Sequence, residues 1–167
     1  MSIQFLGIKA GPEGIAQTLA HMRDLVLESD KHREVKLTAA NIIKDVLPQD
    51  HKAQVEAIVS WVRKRIKYVR DIQGVEEVSA PHVLIAQVVK SGVGYGDCDD
   101  FSVLLSALLR AVGFRTRLEA LAVNQDMYNH ARLAVYLNDE WISIEGTRPW
   151  AIGRRYPSQM QVMYVEP

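Results

Sequence analysis

The sequence predicts an α+β fold in which one buried central helix packs on an antiparallel sheet. Apolar residues recur at helical spacing through the first third of the 167 residues, and short strand-like runs fill the last third. Between them, residues 99–112 are apolar on nearly every side, which is typical of a helix at the centre of a domain. Because no linker interrupts this pattern, we expect residues 1–167 to form a single domain.

The N-terminal third is predicted to be helical, as an extension over residues 1–50 ahead of a core at 55–150. The first helix follows Pro12, and Pro48 is expected to end the second because proline cannot continue a helix. A third helix has a basic outer face, which on an amphipathic helix is most often a solvated surface. The basic residues are Arg63, Lys64, Arg65 and Lys67.

A short helix and a glycine-rich loop lead into the central helix. Pro81 suits the first position of a helix over 82–90, after an extended connection at 68–79. The loop at 91–96 lacks the Gly-Lys-Ser/Thr ending of a phosphate-binding loop. Its glycines are therefore expected to let the backbone turn tightly and approach a substrate.

Strands are predicted in the last third, and two of them form a hairpin around Asn138 and Asp139. The predicted strands are 116–123, 131–137, 141–145 and 161–165. With a two-residue turn, Arg132 faces Glu145, and His130 is the diagonal neighbour of Glu145 on the same face of the sheet. Glu145 can then bind His130, Arg132 or both.

The one cysteine of the chain, Cys98, lies where the glycine-rich loop meets the central helix. A helix N-terminus favours the nucleophilic thiolate, whereas the like charges of Asp99 and Asp100 raise the pKa of the thiol. A charged His130 is the group expected to offset them, so that Cys98 reacts with alkylating agents at mildly acidic pH. The alternative is a buried, inert thiol that packs as a small apolar residue.

Several stretches of the chain resemble the transglutaminase-like superfamily, which has the papain-like cysteine fold. They are Ile58–Val62 with Ile66–Tyr68, Gly96–Phe101, Leu108–Phe114, Asn129–Ala131 and Trp141–Thr147, in the family's order. The resemblance implies an α+β core in which the nucleophile opens the central helix and the antiparallel sheet carries the other two catalytic residues.

By position, the resemblance makes Cys98 the nucleophile, His130 the general base and acid, and Glu145 the residue that orients His130. The family usually has Asp at the third position, so the longer Glu145 departs from the pattern and loosens the expected geometry. The backbone N–H of Cys98 is one expected oxyanion-hole donor. Tyr68 lies near the place where relatives carry an assisting aromatic side chain. The alternative for Tyr68 is simple packing beside Ile66.

The resemblance implies thiol-dependent acyl transfer from peptide or glutamine amides through a thioester. Water as the acceptor gives proteolysis or deamidation, and a lysine amine gives cross-linking. We expect cysteine protease-like hydrolysis, with no metal or organic cofactor. The alternative is a catalytically silent transglutaminase-like fold with a structural or binding role, for example in a bacteriophage particle, because the compact chain resembles members encoded by phages and prophages.

The resemblance implies a protein or peptide substrate as the partner, and the charge of the chain argues against two other classes of partner. The 20 basic and 20 acidic residues give a formal net charge of zero, which argues against binding to nucleic acid or anionic membranes. One cysteine can form neither an internal disulfide nor a cysteine-rich zinc site. Because no secretory signal or transmembrane run is visible, we expect a cytoplasmic protein, or a virion-associated one if a phage encodes it.

Overall fold

Helices occupy the first part of the molecule and strands most of the last. The computed structural model describes residues 11–70, 77–122, 128–154 and 161–167. In chain order the elements are α1 (Pro12–Ser29), α2 (Arg33–Ile43), α3 (His51–Arg65), β1 (Ile66–Tyr68), α4 (Pro81–Ser91), β2 (Gly94–Gly96), α5 (Cys98–Ala111), β3 (Thr116–Ala122), β4 (His130–Leu137), β5 (Glu140–Ile144) and β6 (Gln161–Val165). No helix in the described ranges combines the length and the apolar character needed to cross a membrane.

Helix α5 lies at the centre, where all four other helices and strands β3 and β4 contact it. Its residues Leu104, Leu105, Leu108 and Leu109 are 0% exposed. Gly113 follows the helix with a φ of 97°, the left-handed conformation that commonly ends helices. The prediction of a central apolar helix packed on a sheet is confirmed.

The main sheet is antiparallel, with the strand order β5-β4-β3-β6. Strands β4 and β5 form the predicted hairpin, whose turn residues Asn138 and Asp139 have φ values of 49° and 64°. Positive φ at both positions is typical of a type I′ turn, which matches the twist of the flanking strands. Leu137 pairs with Glu140, so the predicted register is confirmed. The start of β4 and the end of β5 therefore lie at the same edge of the sheet.

The short parallel pair of β1 and β2 is not predicted by the sequence. Each strand has three residues, and β2 reads Gly-Tyr-Gly, so neither has the alternation or the residue types that identify strands. The pairing sets Tyr68 opposite Gly96, just before helix α5. A Cβ atom on Gly96 would come within 2.5 Å of the Asp100 side chain, so this close approach requires glycine.

Helix α2 ends earlier than predicted, at Ile43 rather than just before Pro48. Residues 44–50 form turns and are mostly exposed. The chain beyond Ile43 therefore has little buried apolar surface to hold a further helical turn. Parts of the predicted connections at 71–76 and 155–160, and the last residue of the strand predicted at 116–123, lie outside the described residues.

Candidate active site

The start of helix α5 holds Cys98 in a fixed position. The side chain of Asp97, the N-cap residue, accepts a hydrogen bond from the backbone N–H of Asp99 at 3.0 Å. The carboxylate of Asp100 accepts from the backbone N–H groups of Asp97 at 3.0 Å and Ser79 at 2.7 Å. Reciprocal capping of this kind satisfies the N–H groups that a helix start leaves without partners. It also fixes the backbone that carries the thiol.

The thiol of Cys98 is half-buried, and its sulfur lies 3.7 Å from Asp99 Oδ1, to which it donates. Burial is the largest effect that raises the pKa of Cys98, and the carboxylates of Asp99 and Asp97 raise it further. A hydrogen bond from the backbone N–H of Ala131 lowers it. The expectation of a low thiol pKa is wrong for this structure because desolvation and nearby carboxylates favour the neutral thiol.

His130, the first residue of β4, binds Glu145, the residue that directly follows β5. The distance from His130 Nε2 to Glu145 Oε2 is 2.7 Å, and Glu145 is only 4% exposed. The other carboxylate oxygen, Oε1, accepts from Thr147 through its hydroxyl at 2.8 Å and its backbone N–H at 3.2 Å. The longer side chain of Glu145 therefore reaches the imidazole at full hydrogen-bonding distance.

Arg132 binds an acidic side chain other than Glu145. Its Nε donates to Glu119 on the neighbouring strand at 2.6 Å. Of the alternatives that the sequence leaves open for Glu145, the structure has the contact with His130.

Sequence reasoning missed the role of Arg63 in this part of the molecule. Its Nη2 donates to the backbone carbonyl of Glu145 at 2.6 Å and to that of Trp150 at 2.8 Å. The prediction that Arg63 lies on a solvated face is wrong, because the side chain is half-buried, whereas Lys64 and Arg65 are exposed as predicted. The signal was present in the spacing, since Arg63 follows the buried Val59 by four residues and so shares its face of α3.

Gly146 completes the turn that carries Glu145. A Cβ atom at this position would lie 3.1 Å from Phe101 Cβ and from Leu105 Cδ1, closer than nearly all real contacts of that type. The chain that follows Glu145 can pass this close to helix α5 because residue 146 has no side chain.

Tyr68 ends strand β1 and is 49% exposed. Its ring lies 6.5 Å from the ring of Phe101. Burial is the main cause that raises the pKa of the Tyr68 phenol, and ionised Cys98 raises it further, while a hydrogen bond from Arg70 lowers it. Tyr68 is therefore close enough to Cys98 for their charges to interact. Its ring packs near Phe101, which also lies against Gly146.

Cys98 and His130 line one pocket of about 160 Å³. The backbone N–H of Ala131, next to His130, lowers the pKa of Cys98, so the start of β4 lies near the start of α5. Other lining residues come from α1, the start of α5, β3 and the segment before β4: Ile15, Thr18, Leu19, Met22, Asp97, Asp99, Ala120, Tyr128 and Asn129. The structure thus brings two of the predicted residues to one pocket and sets Glu145 against the histidine, while Tyr68 lies outside that pocket.

One group of side chains has the distances that a metal ion requires. One ligand atom each from Asp97, Cys98 and Asp99 lies within 4.8 Å of the others. Asp97 already accepts the helix-capping hydrogen bond, and Asp99 accepts from the thiol. Both carboxylates therefore serve the start of α5, and the neutral form of the thiol is not the metal-binding form.

The chain belongs to the transglutaminase-like superfamily, whose family model matches residues 38–146. The matched stretch includes Cys98, His130 and Glu145 and excludes helix α1. No curated protein matches the chain.

Solved structures with a similar fold include two that cover most of this chain. One is a candidate cysteine protease from Cytophaga hutchinsonii, with a TM-score of 0.56 and 17% identity; the match covers 99% of this chain and 60% of that protein. The other is a candidate protease from Parabacteroides distasonis, with a TM-score of 0.59 and 13% identity; the match covers 86% of this chain and 31% of that protein. This chain therefore corresponds to less than two thirds of either protein, and at these identities the likeness concerns the fold.

Proposed function

We propose that this protein is a cysteine-dependent acyl transferase that hydrolyses peptide bonds, with deamidation of glutamine or cross-linking as other outcomes of the same thioester. One observation carries the proposal. Cys98 and His130 line the same pocket, and the Nε2 side of the imidazole is held by the buried carboxylate of Glu145. A nucleophile, a base and a group that orients the base are the parts that covalent acyl transfer requires.

In the first half-reaction, Nδ1 of His130 accepts the thiol proton as the sulfur of Cys98 attacks the amide carbonyl carbon. The negative charge on the carbonyl oxygen is then stabilised by the backbone N–H of Cys98 and the hydroxyl of Tyr68. The carbon–nitrogen bond breaks as His130 returns the proton to the leaving amine, which leaves a thioester on Cys98.

In the second half-reaction, His130 accepts a proton from water as the water oxygen attacks the thioester carbon. The carbon–sulfur bond breaks and the proton returns to the sulfur, which regenerates the thiol and releases a carboxylic acid. An amine in place of water gives a new amide. Glu145 stabilises the imidazolium that forms transiently in both steps.

The raised pKa of the Cys98 thiol determines when His130 takes up its proton. Because burial and the carboxylates of Asp99 and Asp97 raise the pKa of Cys98, a preformed thiolate is disfavoured. His130 therefore works as a general base during the attack, and the proton moves only when a substrate carbonyl is in place.

The same raised thiol pKa favours a second candidate, a transglutaminase-like fold that binds a partner without catalysis. A thiol that stays neutral is a poor nucleophile unless a base removes its proton. The experiment below separates the two candidates.

The test is to incubate the protein with a peptide library and hydroxylamine, and to identify products by mass spectrometry. Acyl transfer predicts peptide cleavage and, with hydroxylamine, peptide hydroxamates, because this amine intercepts a thioester. Both products should disappear in Cys98→Ala and in His130→Ala. His51→Ala is the matched control, because it removes an imidazole at the start of α3 that does not line this pocket, and it should keep both products. Equal product levels in Cys98→Ala and the unaltered protein would reject the proposal.

A further inference from the structure

Helix α1 forms one wall of the pocket at Cys98, although it lies outside the segment that matches the family model. The family match begins at residue 38, whereas α1 spans Pro12–Ser29. The α1 residues that line the pocket are Ile15, Thr18, Leu19 and Met22. They recur at intervals of three and four and so share one face of the helix.

The α1 wall presents mainly carbon to the pocket. Leu19 and Met22 are 3% and 1% exposed and belong to the core, so they hold the wall in place. The hydroxyl of Thr18 donates to the carbonyl of Gly14 at 3.2 Å, within the helix itself. Ile15 is half-buried and is the most exposed of the four lining residues.

Apolar side chains also line the pocket on the side of the sheet, beside the polar groups at the starts of α5 and β4. Ala120 from β3 and Ala131 from β4 are 8% and 5% exposed, and Tyr128 lies beside them. The pocket volume of about 160 Å³ is more than ten times the volume that a single water needs, which is about 10–15 Å³. The space therefore suits a side chain of several carbon atoms placed next to the nucleophile.

Charge limits what that side chain can be. Asp97 and Asp99 line the pocket on the α5 side, so an acidic side chain would meet two carboxylates. A basic side chain would be attracted to these carboxylates, but its charge would lose hydration against the apolar wall of α1. An uncharged aliphatic side chain avoids both costs.

We infer that α1 builds a substrate subsite for an uncharged aliphatic side chain, such as leucine, on the acyl side of the bond that Cys98 attacks. This inference rests on the proposed function for its role in catalysis, and it adds the substrate class. Specificity would then come from an N-terminal helix that is not part of the matched family segment.

The first test compares the rates at which peptidyl acyloxymethyl ketones modify Cys98, measured by intact-mass spectrometry. The probes differ only in the residue next to the reactive ketone, which is leucine, glycine, glutamate or lysine. Leucine should react fastest. Ile15→Phe, which fills the pocket, should lower the leucine-to-glycine rate ratio at least tenfold. Leu25→Phe is the matched control, because Leu25 is also a half-buried aliphatic residue of α1 but does not line the pocket, and it should keep the ratio.

The second test needs no chemistry at Cys98. The methyl resonance of Met22 is followed in Cys98→Ala while N-acetyl-leucine amide or N-acetyl-glutamate amide is added. The leucine compound should shift the resonance and the glutamate compound should not.

The outcomes separate the two proposals. If the leucine compound shifts the Met22 resonance but the unaltered protein forms no hydroxamate or cleavage product, the subsite stands and the proposed function falls. If labelling depends on His130 while Ile15→Phe keeps the ratio, the subsite falls and the function stands. A preference for lysine or glutamate over leucine would also overturn the subsite.

Discussion

Two buried glutamates on the same sheet are stabilised in different ways. Glu119 on β3 is 1% exposed and lies between two guanidinium groups: Arg117 Nε donates to its Oε1 at 2.8 Å and Arg132 Nε to its Oε2 at 2.6 Å. Glu145 at the end of β5 is 4% exposed, and its carboxylate is bound by His130 and Thr147.

The difference lies in the charge of the partners. Arginine stays protonated at every relevant pH, so the charge of Glu119 is always compensated. The hydrogen bonds to the carboxylate of Glu145 include those from His130 and from the neutral hydroxyl of Thr147, and the Arg63 guanidinium lies near enough to interact with its charge. Glu145 thus holds the imidazole of His130 in one orientation. Under the proposed function, Glu119 serves stability and Glu145 positions the general base.

The largest expected effect follows from removing the charge of Glu145. Glu145→Gln keeps the size and the contact with Thr147 but loses the stabilisation of the imidazolium. We expect the rate of hydroxamate formation to fall by about 10²–10⁴-fold, with little change in the free energy of unfolding. Glu145→Asp restores the charge on a shorter side chain, and because Arg63 and Gly146 fix the backbone, it should recover only part of the rate. A normal rate in Glu145→Gln would show that the charge of Glu145 is not needed for the action of His130.

Glu119→Gln should have the opposite effects. Removing one partner of a buried ion pair leaves charges without compensation, at a typical cost of about 3–5 kcal/mol. We expect a loss of this size in the free energy of unfolding, measured by urea denaturation, and an unchanged rate per folded molecule. If Glu119→Gln slows catalysis as much as Glu145→Gln at equal folded fraction, the two sites do not differ in role.

Arg63 is expected to act through the backbone of Glu145, as a positioning residue. Arg63→Lys keeps a positive charge, but its shorter side chain cannot place a nitrogen where Nη2 of Arg63 donates to the carbonyls of Glu145 and Trp150. We expect kcat to fall by about tenfold, as small displacements at a catalytic group can cause, while KM changes little. Lys64→Gln is the control on the exposed face of α3 and should leave both unchanged. A change confined to thermal stability would assign Arg63 a structural role only.

Local signals made much of the fold and part of the site predictable. The positive φ at Asn138 and Asp139 suits the residue types found there, and that turn sets the register that brings His130 near Glu145. The apolar character of α5 likewise identifies it as the centre of the domain and Cys98 as its first residue.

Features that depend on distant parts of the chain were not predictable. The spacing from Val59 indicates that Arg63 is partly buried, but it does not identify its partners, which are carbonyl groups 82 and 87 residues away. The wall that α1 builds beside Cys98 depends on how whole helices pack. The thiol pKa was predicted with the wrong sign because its largest cause is burial, which the sequence does not give.

The smallest expected effect concerns that pKa. Asp99 accepts the hydrogen bond of the Cys98 thiol and raises its pKa by its charge. Asp99→Asn removes the charge but keeps the backbone N–H that Asp97 caps. The pKa of the thiol should therefore fall, so that a larger fraction is thiolate at any given pH. We expect the alkylation rate profile of Cys98 to move to lower pH by roughly one unit.

The matched control for this experiment is Asp139→Asn. It removes one negative charge from the exposed hairpin turn, where asparagine tolerates the positive φ of 64°. Iodoacetamide rates measured across the pH range should coincide for Asp139→Asn and the unaltered protein, because an exposed charge far from the thiol is screened by solvent. If Asp99→Asn coincides with them as well, burial alone keeps the thiol neutral. Asp99 would then make no contribution to the raised pKa of the Cys98 thiol.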